Sequence, residues 1–192
     1  MAKRLQDLIR SQRWSIDEFL ELDDGTDTRF ELLRGELVAM APPASHHGRL
    51  VMRLGLQLGP QLRRPCEPVA EAGIRPRGDE ETFYVADLVV SCAPIFPETR
   101  YATDPILVAE IRSPSTEGHD LVEKLVAYQG ITSVMDILLI DARSPRIDHF
   151  TREGEGWRQL THLGKGTVHL TGIPATIDLA SLYEGLFAPE SQ

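Results

Sequence analysis

Hydrophobic positions recur with two periods along the chain, and the switches between them mark its elements. "SIDEFLELDD" predicts a short helix: Ser15 can cap its start, Glu18 three residues on can close a capping box, and Phe19, Leu20 and Leu22 supply apolar contacts. "RFELLRGELVAMAPP" is two short apolar runs split by Arg34-Gly35, which predicts a tight β-hairpin ending at paired prolines. In "SHHGRLVMRLGLQLGPQLRR", Leu50, Leu54 and Leu58 stand four residues apart behind Ser45, so a helix capped by Ser45 is expected, ended or bent at Gly59-Pro60.

The middle of the chain is strand-rich. "EPVAEAGIRPR", "TFYVADLVVSC" and "PILVAEIRSP" are apolar or alternating runs separated by Gly, Asp, Pro and Glu clusters, which is a sheet pattern. "SPSTEGHDLVEKLVAYQGI" switches to helix, with Asp120 as cap, Glu123 three residues later, and Leu121, Leu125 and Tyr128 along one side. "VMDILLIDAR" is apolar enough for a central strand, and "RIDHFTREGEGWRQLTHLGKGTVHLTGIP" reads as a β-meander, its "GKGT" a turn. "IDLASLYEGLF" closes the chain as a small helix. The pattern predicts an α/β fold: a mixed central β-sheet flanked by helices, with an N-terminal hairpin and a C-terminal β-meander, in a single domain over 1–192.

Composition sets bounds on this picture. At 42% hydrophobic and 26% charged residues, the 192-residue chain is an ordinary globular sequence. Cys66 and Cys92 lack the spacing of a zinc site and do not resemble a disulfide framework, so a reducing compartment is expected. "MAKRLQDLIRSQRW" has no apolar core for a signal peptide, and no segment approaches a membrane span, which predicts a cytoplasmic protein without a membrane partner. A net charge of -9 argues against a broad basic surface for nucleic acid. A local patch is still available from Arg49, Arg53, Arg63 and Arg64, and a homodimer could gather these into one cleft.

Three charged residues stand where the pattern wants apolar ones: Asp87 in "VADLVV", Glu110 in "ILVAEI" and Lys124 in "DLVEKLVAY". Singly, each acid can be a strand-end residue met by backbone amides, and a helical lysine snorkels to water. Together they suggest more. If the two strands are neighbours, both carboxylates reach one point and repel unless a proton or a divalent cation lies between them. Oxygen ligands favour Mg2+ or Mn2+ over zinc, and a lysine beside the metal would stabilise developing negative charge. Acid, acid, lysine and a hard cation form a phosphodiester-hydrolysis site. By this argument, removing Asp87 would relieve like-charge repulsion and stabilise the metal-free protein.

These residues also carry a resemblance. "FELLRGELVAMAPPASHHGRL", "VADLVV", "LVAEIRSPSTEGHDLVEKLVAYQGI" and "ILLIDA", in this order over about Phe30 to Phe150, resemble the Uma-type restriction endonuclease family of the PD-(D/E)XK nuclease superfamily. The resemblance implies a restriction-endonuclease-like core and a metal-dependent endonuclease acting on DNA. Asp87 and Glu110 would be the catalytic, metal-binding acids and Lys124 the catalytic lysine. It further implies Glu31 and Glu36 as additional groups at the metal, and Arg112 and His47 as substrate-binding residues; Arg49 and Arg53 join them from the local basic patch. Arg112 stands where many relatives keep lysine; a guanidinium there can hold phosphate but not exchange a proton. Ala86 replaces the proline of the motif, which removes a backbone constraint but no ligand. Ser113, Ser115 and Thr116 of "RSPST" lack a histidine–aspartate arrangement and read as a capped proline turn. Two other readings stay open: a binding or scaffold protein on a nuclease fold, and a metal-dependent hydrolase of a small phosphate.

Overall fold

The computed structural model describes residues 12–23, 25–42, 44–112 and 119–187, with only the backbone of 119 and 120. Helix α1 (Ile16–Leu20) opens with the expected capping box between Ser15 and Glu18. The hairpin β1 (Phe30–Leu33) and β2 (Glu36–Ala39) turns at Arg34 and Gly35, with φ of 51° and 80°. Positive φ at both central residues gives the turn the twist that a two-residue hairpin requires. Helix α2 (Ser45–Leu58) runs into a 3-10 turn at Gly59–Gln61, where Pro60 sits at a position that needs no amide donor. Ser45 is not its cap: the helix already includes Ser45, and Ala44 precedes it with no side-chain hydrogen bond.

The body is a six-stranded sheet in the order β3 (Glu67–Ile74), β4 (Tyr84–Ser91), β5 (Pro105–Arg112), β6 (Asp136–Asp141), β7 (Arg146–Glu153) and β8 (Gly156–Leu163). All neighbours are antiparallel except β5 and β6. That parallel pair needs a crossover, which α3 (His119–Gln129) supplies. Asp120, expected as the cap, lies within the helix. The "SPSTEG" stretch, 113–118, and the extreme N-terminus lie outside the described residues. β7 and β8 pair as the meander pattern predicts, but β9 (Thr167–His169) leaves the sheet at the "GKGT" turn and pairs with β10 (Thr176–Asp178) in a separate ribbon, and α4 (Leu179–Tyr183) forms the expected closing helix.

Alternation along the strands builds two layers of core. Leu107, Ala109 and Ile111 of β5, with Leu138 and Ile140 of β6, face Leu50, Leu54 and Leu58 of α2 and the β10–α4 segment. Val108 of β5, with Ile137 and Leu139 of β6, faces the side covered by Tyr128 of α3. Glu110, two residues after Val108, therefore projects toward α3. A third cluster of Ile16, Leu32 and Phe83 docks α1 and the hairpin. It is reinforced by a Leu32–Phe83 backbone bridge and an ion pair between Arg34 and Glu123 of α3.

The cysteine expectation is overturned. Cys66 and Cys92 form a disulfide. They flank Glu67 and Ser91, which oppose each other at one end of the β3–β4 ladder, so residues 26 apart in sequence become neighbours. The pairing removes the cysteine argument for a reducing compartment. Among the described residues no helix is long and apolar enough to cross a membrane.

Candidate active site

Strands β4 and β5 pair as far as Leu88 and Ala109 and then diverge. Asp87 and Glu110 each stand one residue beyond that last pair. The parting frees the backbone amide of Ile111, and Asp87 takes its place in the ladder: Oδ2 accepts from Ile111 N–H at 2.6 Å. The other oxygen, Oδ1, lies 3.1 Å from His47 Nε2 on the first turn of α2. These two contacts answer how a strand interior tolerates an acid at this position.

Glu110 is the most buried of the candidates apart from Glu31, with a side chain 8% exposed. Tyr128 Oη donates to its Oε1 at 2.6 Å, and Lys124 Nζ stands 3.7 Å away. Residues 124 and 128 are one helical turn apart, so α3 presents both to the same carboxylate. Lys124 does not snorkel to water. Its ammonium donates to Glu31 Oε1 at 2.8 Å and lies 5.7 Å from the centre of the Tyr84 ring. Glu31 in turn accepts from the amide of Val85 at 2.8 Å.

Burial pushes the Glu110 carboxyl up to about 8; the Lys124 charge opposes the rise, Asp87 adds to it, the Tyr128 hydroxyl opposes it and Glu31 adds to it. The Tyr128 phenol is also held well above its ordinary range, first by burial and then by Glu110. Glu31 and Glu110 thus flank the Lys124 ammonium, while Asp87, paired with His47, acts on Glu110 through its charge.

The structure brings together Asp87, Glu110, Lys124, Glu31 and His47. Glu36 shares the hairpin face of Glu31, but it lies exposed beside the turn. Arg49 is exposed on α2, and Arg53 donates to the carbonyl of Leu182 at 3.1 Å, which ties α2 to α4. Arg112 reaches away from the acids to Asp148, 2.9 Å distant on β7. Sequence reasoning missed Tyr128 as a polar partner, although its place one turn after Lys124 was the available signal.

Among the described residues, no three His, Cys, Asp or Glu side chains converge as a metal cage. Asp87 and Glu110 nevertheless fit a hard cation of the open kind, because Mg2+ takes one or two carboxylates and completes its shell with water and phosphate. The raised Glu110 supports the same fit: burial outweighs the Lys124 charge, so a divalent cation beside the carboxyl would favour its ionised form.

A mixed sheet whose strands part at two acids, with a lysine supplied by the crossover helix, has the architecture of a nuclease-like α/β domain. The chain belongs to the Uma2 family, whose model is described as "Putative restriction endonuclease" and matches residues 16–180, wider than the stretch that the motifs span. Two uncharacterized proteins of Synechocystis sp. are similar to it: one is 27% identical over 76% of this chain and 85% of its own length, the other 25% identical over 90% and 92%. A crystal structure of a putative nuclease belonging to DUF820 from Anabaena variabilis shares the fold, with a TM-score of 0.69 at 16% identity, over 91% of this chain and 99% of that one.

Proposed function

We propose that the protein is a metal-dependent endonuclease that hydrolyses phosphodiester bonds in DNA. The observation that carries this reading is the placement of Asp87 and Glu110 just beyond the last paired residues of β4 and β5, with Lys124 3.7 Å from Glu110. Asp87 and Glu110 would hold Mg2+ or Mn2+, which would lower the pKa of a bound water and neutralise charge on the phosphoryl oxygens. Each protein group has its own part. The Lys124 ammonium offers positive charge to an oxyanion developing beside Glu110. Glu31 orients that ammonium, and Tyr128 fixes the Glu110 carboxyl through one oxygen. His47, whose Nε2 lies against Asp87 at the site's edge, would meet a substrate phosphate through its other ring nitrogen.

The test is titration calorimetry of Mg2+ and Mn2+ into the wild type and Asp87→Ala, followed by plasmid nicking on the same samples. Metal binding lost in the variant, with nicking that needs both Asp87 and Lys124, supports the endonuclease. Absence of binding and nicking in the wild type rejects it. A specific observation favours the scaffold reading as the alternative: Asp87, Glu110 and Glu31 each already have a protein partner within 2.8 Å.

A further inference from the structure

Asp148 on β7 is a second charged centre on the same sheet face as the acids. Its side chain is 5% exposed, and two guanidiniums converge on it. Arg112 Nη1 donates to Oδ2 at 2.9 Å, and Arg146 donates to Oδ1 through Nη2 at 2.9 Å and Nε at 3.1 Å. Thr161 Oγ1 adds a bond to Oδ1 at 2.7 Å. Asp141, opposite Arg112 on β6, also acts on Arg146 and is met by Arg143, so three guanidiniums face two carboxylates and leave a positive surplus on a chain whose net charge is -9. The Arg112 Nε is moreover buried without a hydrogen-bond partner, a donor that the protein itself does not satisfy.

The register fixes where this surplus lies. Glu110 opposes Leu139, and Leu139 opposes Asp148, so the two acids share a row and a face across three strands. At the usual strand spacing this is ~10 Å, and Arg112 starts only ~7 Å along β5 from Glu110. That span reaches one to two backbone phosphates from the acids, since successive phosphates of a strand lie farther apart than the ~3.4 Å axial rise. Planar guanidiniums are suited to phosphate, and Arg146 is 42% exposed, open to a ligand.

We propose that Arg112 and Arg146, presented by Asp148, form a phosphate-binding subsite for a backbone phosphate flanking the one that is cut. This rests on the endonuclease reading and adds to it a substrate-positioning pair that stands apart from the acids. In this arrangement Asp148 is a positioning residue: it holds two cations close together that would otherwise repel.

The experiment is fluorescence anisotropy of a short fluorescein-labelled DNA duplex over a salt series, with Ca2+ present, alongside plasmid nicking in Mg2+ and a melting curve for each variant. Arg146→Ala is expected to weaken binding and to make the salt dependence shallower by about one unit of log–log slope, the signature of one lost phosphate contact. Asp148→Asn, which leaves the two guanidiniums without the charge that holds them side by side, is expected to weaken binding; unchanged binding would remove Asp148 from the positioning role. An ion pair with only a structural role would move the melting temperature and leave the slope alone. If Arg146→Ala binds with wild-type affinity and slope while the wild type nicks plasmid, the subsite is wrong and the endonuclease stands. If the wild type neither binds nor nicks, both fall.

Discussion

The Lys124 ammonium lies closer to Glu31, at 2.8 Å, than to Glu110, at 3.7 Å. The lysine that the sequence groups with Asp87 and Glu110 is thus anchored by a residue of the N-terminal hairpin. Its position relative to Glu110 depends on that anchor.

Replacing Lys124 with Met leaves Glu31 and Glu110 buried without this cation. The expected cost is ~3–5 kcal/mol, as for other broken buried pairs. Adding Glu31→Gln should recover much of that stability without recovering nicking. Urea unfolding of the two single variants and the double variant measures the coupling; additive effects would contradict the pairing.

Glu110 makes metal-free stability depend on pH in a defined direction. Its carboxyl titrates at about 8 in the folded chain and at ~4.3 when unfolded. Between those values the folded state holds the extra proton, so the contribution is full below the lower value and is lost as pH rises through the upper one. The wild type should therefore lose stability relative to Glu110→Gln between about pH 4 and 8. Unfolding curves in EDTA across that range check it; a constant difference would show that Glu110 is not raised.

Tyr128→Phe separates the hydroxyl from the ring. The hydroxyl is one of the groups that hold the Glu110 pKa down, so its loss should move the Glu110 titration further up. A pH titration of Glu110 by carboxyl-carbon NMR reads the shift directly. The ring's packing on Tyr84, 6.0 Å between centroids, should survive.

For Asp87→Ala, the structure reverses the sign expected from charge repulsion alone. The alanine orphans the Ile111 amide, which costs ~1–3 kcal/mol in a buried setting. Relief of repulsion with Glu110 offsets only part of this. Asp87→Asn, which can still accept from that amide, should be more stable than Asp87→Ala, and thermal melts in EDTA rank the two.

The sheet was legible because a strand buried on both faces writes itself as a short, nearly continuous apolar run, as in "PILVAEIR", where successive residues enter opposite core layers. The acids were legible for the same reason, as exceptions to that pattern. Lys124 alone was not, because a helical lysine carries no mark of the Glu31 that waits 93 positions away. Asp148 and the disulfide were hidden likewise: register decides both, and no local pattern encodes which residues of distant strands come face to face. Ser45 misled because a capping residue inside the first turn looks the same in sequence as one just before it.

The hairpin that bears Glu31 is not part of the six-stranded sheet, and it meets that sheet through the Leu32–Phe83 bridge and a small cluster. The contacts within β5–α3–β6 are local and can form early, whereas docking the hairpin closes a much longer loop. The lysine would then gain its anchor only when one of the longest-range pairings in the chain is made. Assembly itself would act as a safety catch, since a partly folded chain could expose the two acids without yet holding Lys124 against them.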